Sequence, residues 1–174
     1  MQTLSFILVS APVCFVLGLS LGIWGYLSKN VEAALQPILN VAQTLPHFSY
    51  LVPVLVMFGV GDQAGAIATI IFATPPMVRL TILGLKKISP DVVDSGLMSG
   101  CNRFQLMFRV LIPTARRDIL IGVNQVIMQC LAMTVIASFI GARGLGFNLK
   151  VALNNLKIVH AAEIGISVVI IAVI

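Results

Sequence analysis

Long stretches without a single charged side chain dominate this sequence and limit what it can fold into. A helix that crosses the hydrocarbon core of a bilayer needs about 20 mainly apolar residues. Only 10% of the residues are charged, against about 25% in a soluble protein. The pattern therefore predicts an all-α integral membrane protein. Asp, Glu, Lys and Arg are absent from five runs, which are 1–28, 33–61, 63–78, 119–142 and 164–174.

We expect about five spanning helices, at about 4–27, 36–60, 63–85, 117–140 and from about 161 onward. The last charge-free run has eleven residues, which reach only about 16 Å as a helix that rises about 1.5 Å per residue. We therefore expect residues 1–174 to form a single transmembrane domain, a fragment whose last helix is incomplete.

The basic residues are concentrated between two of the apolar runs. Cytoplasmic loops of membrane proteins carry an excess of Lys and Arg, and each charge in hydrocarbon costs about 2.5–3.5 kcal/mol on insertion scales. The segment is therefore predicted to be cytosolic, and the net charge of +5 needs no nucleic acid to explain it. Seven of the eleven basic residues lie here: Arg79, Lys86, Lys87, Arg103, Arg109, Arg116 and Arg117.

Several uncharged polar side chains interrupt the apolar runs. Gln43, Thr44, Gln125 and Gln129 would each be unfavourable against lipid, so we expect them to point toward other helices or a wet cavity. Gln125 and Gln129 are four residues apart and share one helix face. Two interpretations stay open, namely hydrogen bonds between helices and a polar wall of a translocation path.

Prolines and glycines inside the predicted helices carry a second signal. Pro46 and Pro53 interrupt the second predicted helix, and Pro75-Pro76 the third. Because proline removes a backbone donor, these positions predict either packing kinks or a path wall. Gly18 and Gly22 form a G-x-x-x-G pattern, which permits close approach of another helix.

The basic segment itself is predicted to form two helices. Ser89-Pro90-Asp91 is a helix start, with an N-capping Ser, Pro at the first helical position and an acid near the positive dipole end. That helix is expected to run to about Ser99 and to stop at Gly100, and a second begins near Asn102. One apolar stripe is predicted on the second helix, formed by Phe104, Met107, Phe108 and Leu111.

Two amphipathic helices joined by a glycine suit a projection that lies in a partner's groove. The alternative is a helix pair resting at the lipid headgroups. The first helix has no comparable apolar face, which favours a partner.

The segment resembles the EAA motif of binding-protein-dependent ABC importer permeases. That pattern is Glu-Ala-Ala, three residues, Gly, nine residues and Ile-x-Leu-Pro. Here Asp94-Ser95-Gly96, three residues, Gly100, nine residues and Val110-Leu111-Ile112-Pro113 keep the spacing of every element. The Glu-Ala-Ala triplet itself is replaced, and Gly96 weakens a helix by about 1 kcal/mol relative to Ala.

The similarity extends from about Phe15 onward. The stretches 42–61, 70–88 and 122–146 resemble the permease subunit of glycine betaine/proline betaine importers. The resemblance implies a type I ABC importer transmembrane domain (MetI-like), a homodimer of permeases, two cytosolic ATPases and an external binding protein. It also implies a multi-pass protein of the bacterial inner membrane, whose loop 89–113 docks on the ATPase. The implied docking residues are Asp94, Ser95, Gly96, Gly100, Arg103, Phe104 and Pro113.

The chain is not expected to be an enzyme. It has no G-x-x-x-x-G-K-[ST] pattern, so ATP is expected to be bound by the partner subunit and no cofactor by this chain. Cys14, Cys101 and Cys130 are isolated and indicate neither a disulfide framework nor a metal site.

The resemblance therefore predicts the substrate pathway of an ATP-driven importer for glycine betaine, proline betaine or related osmolytes. Cations are attracted to aromatic faces, which suits a path of aromatic and neutral polar groups. Choline, carnitine, methionine or a sulfonate stay as alternative substrates, and an ATPase-independent secondary transporter or a membrane scaffold as alternative classes. The candidate pathway residues are Gln43, Thr44, Phe48, Tyr50, Gln125 and Gln129.

Overall fold

The computed structural model describes residues 2–137, 145–156 and 158–173, and every regular element in these ranges is helical. The segment between α5 and α8 contains one π-helix, which we call π1. The elements are α1 Gln2–Leu27, α2 Lys29–Thr44, α3 His47–Phe58, α4 Asp62–Lys86, α5 Pro90–Met98, α6 Arg103–Gln105, π1 Leu106–Leu111, α7 Ile112–Thr114, α8 Arg116–Ala137, α9 Leu145–Asn154 and α10 Ile158–Val173.

Three helices within the described ranges are long and apolar enough to cross a membrane. They are residues Ile7–Leu27 of α1, the whole of α4 and the whole of α8. These helices pack on one another around a core that includes Cys14, Ala73, Met77, Val126 and Cys130. The predictions of a first, third and fourth spanning helix are therefore confirmed, although residues 138–140 of the fourth lie outside the described residues.

The G-x-x-x-G pattern lies at the closest packing in this core. A Cβ atom at Gly18 would lie 2.5 Å from Cβ of Met77, and one at Gly22 would lie 2.5 Å from Cβ of Thr81. Both distances are too short for real side chains, so α1 approaches α4 as closely as it does because these two positions are glycine.

The prediction of one continuous second helix is wrong. This part of the chain consists of α2 and α3, bent by 100° at a break between Thr44 and His47, so the pair is either one broken span or a re-entrant loop. Pro46 gives the physical reason, since a residue before proline is driven from the helical to the extended region, and Leu45 has φ −70° and ψ 136°. Pro53 and Pro75-Pro76, by contrast, lie inside uninterrupted helices.

The expected number of spans also changes. The described residues contain three candidate spans, or four if α2 and α3 count as one, instead of about five. The expected fifth corresponds to α10, which begins at Ile158 and has 16 residues. The helix α9 was not predicted, because its ten residues mix apolar positions with Asn148, Lys150 and Asn154.

Two ion pairs join the ends of the helices on the side where the basic segment lies. Nζ of Lys86 lies 2.5 Å from Oε1 of Glu32, which links α4 to α2. Nζ of Lys87 lies 2.8 Å from Oδ1 of Asp118, which links α4 to the start of α8. The basic segment therefore leaves and re-enters the bundle at two helix ends that are tied to each other.

Candidate functional site

The first helix of the basic segment has the predicted boundaries. Ser89 is the N-cap and Pro90 the first helical residue. At the other end the Gly100 N–H donates to the Leu97 carbonyl and the Cys101 N–H to the Gly96 carbonyl, the hydrogen-bond pattern of a Schellman motif. Gly100 has φ +79°, a left-handed conformation that costs other residues about 1–2 kcal/mol.

The second helix begins as predicted but is not a regular α-helix. Asn102 and Gln105 form a capping box, which starts α6. The π-helix π1 follows, and the Ile112 N–H donates to the Met107 carbonyl five residues earlier. Pro113 gives a physical reason: it cannot donate to the carbonyl four residues back, and in an α-helix its ring would collide with that group.

The wider turn of π1 divides the predicted apolar stripe, which is a correction. Met107 and Leu111 are buried, while Phe104 and Phe108 are 68% and 48% exposed. The two exposed rings pack on each other with their centroids 4.5 Å apart. One half of the stripe thus anchors the segment to the bundle, and the other half faces outward.

The inward half joins the segment to the spanning helices. Met107 and Leu111 belong to the same core cluster as Leu85 of α4 and Ile119 of α8. Gly96 is buried between the two helices of the segment, where a Cβ atom would lie 2.5 Å from Cδ1 of Leu106. Gly96 therefore positions α5 against π1 and lies too deep to be a point of contact for a partner.

We call four exposed apolar residues of the segment the apolar ridge: Phe104 and Phe108 from the outward half of the stripe, and Leu97 and Met98 from the end of α5. Leu97 and Met98 are 50% and 88% exposed. Four large apolar side chains on a projecting segment indicate an interaction site. The expected docking residues Asp94, Ser95, Gly100, Arg103 and Pro113 are also exposed, and the Ser95 hydroxyl donates to the Asp91 carbonyl at 2.7 Å.

A second feature is a cavity of about 320 Å³ between α2, α4 and α8. Three of the six candidate pathway residues line it, namely Gln43, Gln125 and Gln129. Oε1 of Gln129 is buried and has no hydrogen-bond partner among the described residues. The cavity wall therefore retains an unused hydrogen-bonding group. The other lining residues are Ala42, Phe72, Pro76, Arg79 and Leu80.

The other three candidate pathway residues do not line this cavity. The Tyr50 ring packs edge-on against Phe72 at 5.5 Å, and its hydroxyl donates to the Ala42 carbonyl. The Thr44 hydroxyl donates to the Val41 carbonyl of its own helix, and Phe48 is 55% exposed.

Among the lining residues that were not candidates from the sequence, Arg79 is charged and Phe72 is aromatic. Arg79 was counted with the basic segment but lies inside α4, and Phe72 was not considered. They are seven residues apart and therefore share one helix face. This periodicity, combined with a charge inside a possible span, was the signal that could have identified them.

Comparison with known proteins places these features in a family. The chain is 58% identical over 173 residues to the trimethylamine N-oxide transport system permease protein TmoV of Pelagibacter ubique, covering 99% of this chain and 24% of that protein. It is 39% identical to the glycine betaine permease OpuAB of Bacillus subtilis, over 99% of this chain and 61% of that protein. It is 40% identical to the glycine betaine/proline betaine permease ProW of Escherichia coli, over 100% of this chain and 49% of that protein. The chain thus spans less than two thirds of the length of these relatives.

Solved structures agree on the fold. An inward-facing structure of the MetNI methionine ABC transporter superposes with a TM-score of 0.85 at 21% identity, covering 98% of this chain and 86% of that chain. An amino acid ABC transporter structure superposes with a TM-score of 0.75 at 19% identity, covering 96% and 84%. The MetI-like fold is therefore confirmed.

The family model described as "binding-protein-dependent transport system inner membrane component" matches residues 15–174. It covers the first span from Phe15 onward, the other two spans, the projecting segment with its apolar ridge, and the cavity. The chain belongs to this family of ABC transporter permeases.

Proposed function

We propose that this chain forms the substrate pathway of an ATP-driven importer for small methylated-ammonium osmolytes in a bacterial inner membrane. In this proposal the segment 89–113 lies in the cytosol and docks on a separate ATPase. A second permease copy completes the pathway, and an external binding protein delivers the substrate.

The observation that carries the proposal is the construction of the projecting segment. Its inner residues, Met107 and Leu111, are part of the bundle core, and its outer residues form the apolar ridge. A force on the ridge therefore reaches α4 and α8 through a close-packed interior, which transmits strain. A loop joined to the bundle only by flexible chain would not couple the ATPase to the helices.

The coupling has a thermodynamic requirement. An ATPase can shift the bundle between two conformations only if it binds them with different affinity. In this proposal, ATPase closure moves the segment and so changes the packing at the ends of α4 and α8, which the Lys87–Asp118 ion pair joins. ATPase closure and pathway opening then favour the same state.

The substrate class rests on the names of the relatives. The permeases at 58% and 51% identity are described for trimethylamine N-oxide, and those at 39–40% for glycine betaine or its mixtures with proline betaine or carnitine. All of these names point to small molecules with a methylated nitrogen, and we extend that class to this chain. Methionine and sulfonates are therefore less favoured as substrates than this class.

Uptake by the complete transporter tests this function. We expect proteoliposomes that contain the full-length permease, its ATPase and the loaded binding protein to accumulate trimethylamine N-oxide or glycine betaine when ATP is present. Omission of ATP or of the ATPase is the control. Uptake that persists without the ATPase would instead support the secondary transporter.

Cys101 allows a direct test of the orientation. It is partly exposed, whereas Cys14 and Cys130 are fully buried. We expect a membrane-impermeant maleimide to label Cys101 in inside-out vesicles and not in right-side-out ones. A Cys101→Ala variant should remove the label. Labelling from the outer face would contradict the proposed docking on a cytosolic ATPase.

A further inference from the structure

We propose that Arg79 binds the anionic oxygen of the zwitterionic substrate in the pathway and discriminates against cations that lack such an oxygen. This inference rests on the proposed function, since it assigns a ligand group to the cavity of that pathway. It assigns a binding role to a residue outside the segment 89–113, which is the part proposed to dock on the ATPase.

The position of Arg79 is the first argument. It lies seven residues before Lys86, the last residue of α4, which is about 10 Å along a helix. A charged side chain at this depth is costly and, in most membrane proteins, points into a water-filled cavity or the bundle interior where it has a function. Arg79 does so here, because it lines the cavity of about 320 Å³.

The second argument is the unused binding capacity of the guanidinium group. One N–H donates to Oδ1 of Asn40 on α2, whereas an arginine carries five N–H donors in a planar fork. Among the residues that the structure describes, no carboxylate forms an ion pair with it. The group therefore keeps the geometry and the charge to bind an oxygen anion, which arginine does with two parallel hydrogen bonds.

Phe72, two helical turns from Arg79, adds complementary chemistry to the cavity. Phe72 lies on the same face of α4 and packs against His47 at a centroid distance of 4.2 Å and against Tyr50 at 5.5 Å. Aromatic groups attract a quaternary ammonium. One wall thus presents an aromatic group and a cation on the same helix face, which matches a molecule that carries a methylated nitrogen and an anionic oxygen.

The wall of the cavity formed by α8 supplies neutral hydrogen-bonding groups. Gln125 and Gln129 of α8 face the cavity, and the amide oxygen of Gln129 is buried without a partner in the described part of the chain. An amide can present either its oxygen or its NH2 group to a ligand. Among the described residues that line the cavity, the only charged one is positive, so a pure cation would meet repulsion with no opposing charge.

The test uses the complete transporter in proteoliposomes, with the binding protein saturated so that capture does not limit the rate. We expect Arg79→Gln to lower the uptake rate of trimethylamine N-oxide and glycine betaine by about 10- to 100-fold, the range for lost hydrogen bonds to a charged group. ATPase stimulation by the loaded binding protein should stay near wild type, because the docking surfaces are intact. Arg79→Lys should retain part of the uptake, since it keeps the charge but loses the fork.

Asn40→Ala is the matched control, because it removes the bond from Arg79 to α2 and leaves the guanidinium in place. We expect its uptake to stay within about threefold of wild type, because the lost bond lies at an exposed position between two helices and does not involve the substrate. Equal losses in Arg79→Gln and Asn40→Ala would overturn the proposal in favour of a structural bond. Wild-type uptake by Arg79→Gln would overturn it as well.

Two further arms distinguish substrate binding by Arg79 from lipid binding and from a failure of the proposed function. Arginine also pairs with lipid phosphate, so each variant is measured in liposomes with and without anionic lipid. A defect that occurs only with anionic lipid would assign Arg79 to headgroups and overturn the proposal. If wild type shows no ATP-dependent uptake of either zwitterion, the function proposed above fails, which is distinct from a defect confined to Arg79→Gln.

Discussion

Replacing both Phe104 and Phe108 by alanine is expected to weaken binding of the ATPase by about 100-fold or more while the helix bundle stays folded. The two rings pack on each other and are 68% and 48% exposed. Alanine truncation of an aromatic side chain at the centre of an interface costs about 2 kcal/mol or more, and about 1.4 kcal/mol is a factor of ten in affinity. The bundle should be unaffected, because neither ring belongs to its core cluster.

The measurement is the affinity of purified permease for its ATPase, together with the ATPase rate of the assembled complex. Phe58→Ala is the matched control, since Phe58 is 50% exposed but lies at the far end of α3. A second variant, Met107→Ala, should behave differently: it removes a buried anchor of the segment, so it should lower stability as well as affinity. Unchanged affinity in the Phe104→Ala/Phe108→Ala variant would contradict docking through the ridge and would favour the alternative, in which the ridge rests at the lipid headgroups.

The sequence predicted the parts of the fold that depend on local chemistry. The absence of charge over long runs marked α1, α4 and α8 to within a few residues, because a bilayer penalises charge strongly. Ser89-Pro90, Gly100 and Asn102 marked the helix ends of the projecting segment, since caps and left-handed glycines act within a few residues. The spacing of the EAA-like pattern also indicated the permease family.

The sequence failed where tertiary packing decides the geometry. Pro46 predicted an interruption, but its 100° bend depends on what α2 and α3 pack against. In the projecting segment, a shift of one residue in the hydrogen-bond pattern separates Phe104 and Phe108 from Met107 and Leu111. No periodicity rule for a regular α-helix contains that shift.

The candidate site shows the same division. Gln43, Gln125 and Gln129 were identified because polar side chains are rare in apolar runs, and they do line one cavity. Thr44 was selected by the same rule, but its hydroxyl is satisfied by its own helix. Arg79 lies within the third predicted helix, 63–85, but was counted only with the basic cluster, because the charge-free run ends at Val78. Grouping this residue by its charge left its place on the cavity side of α4 unrecognised.

Gly22 offers a test in which helix propensity and packing predict opposite results. Gly22→Ala should stabilise an isolated helix by about 1 kcal/mol.

In the folded protein, however, the new Cβ would lie 2.5 Å from Cβ and 2.7 Å from Cγ2 of Thr81, and overpacking of this kind costs about 1–3 kcal/mol. We therefore expect a lower thermal unfolding midpoint for the purified permease. Gly165→Ala, where no atom of the described residues lies within 4 Å of the new Cβ apart from the local backbone of its own helix, should leave the midpoint unchanged or raise it. Adding Thr81→Gly to Gly22→Ala removes the colliding atoms and should restore part of the loss, because the Thr81 hydroxyl has no hydrogen-bond partner within the described ranges. A Gly22→Ala protein as stable as wild type would mean that α1 and α4 do not pack through these glycines.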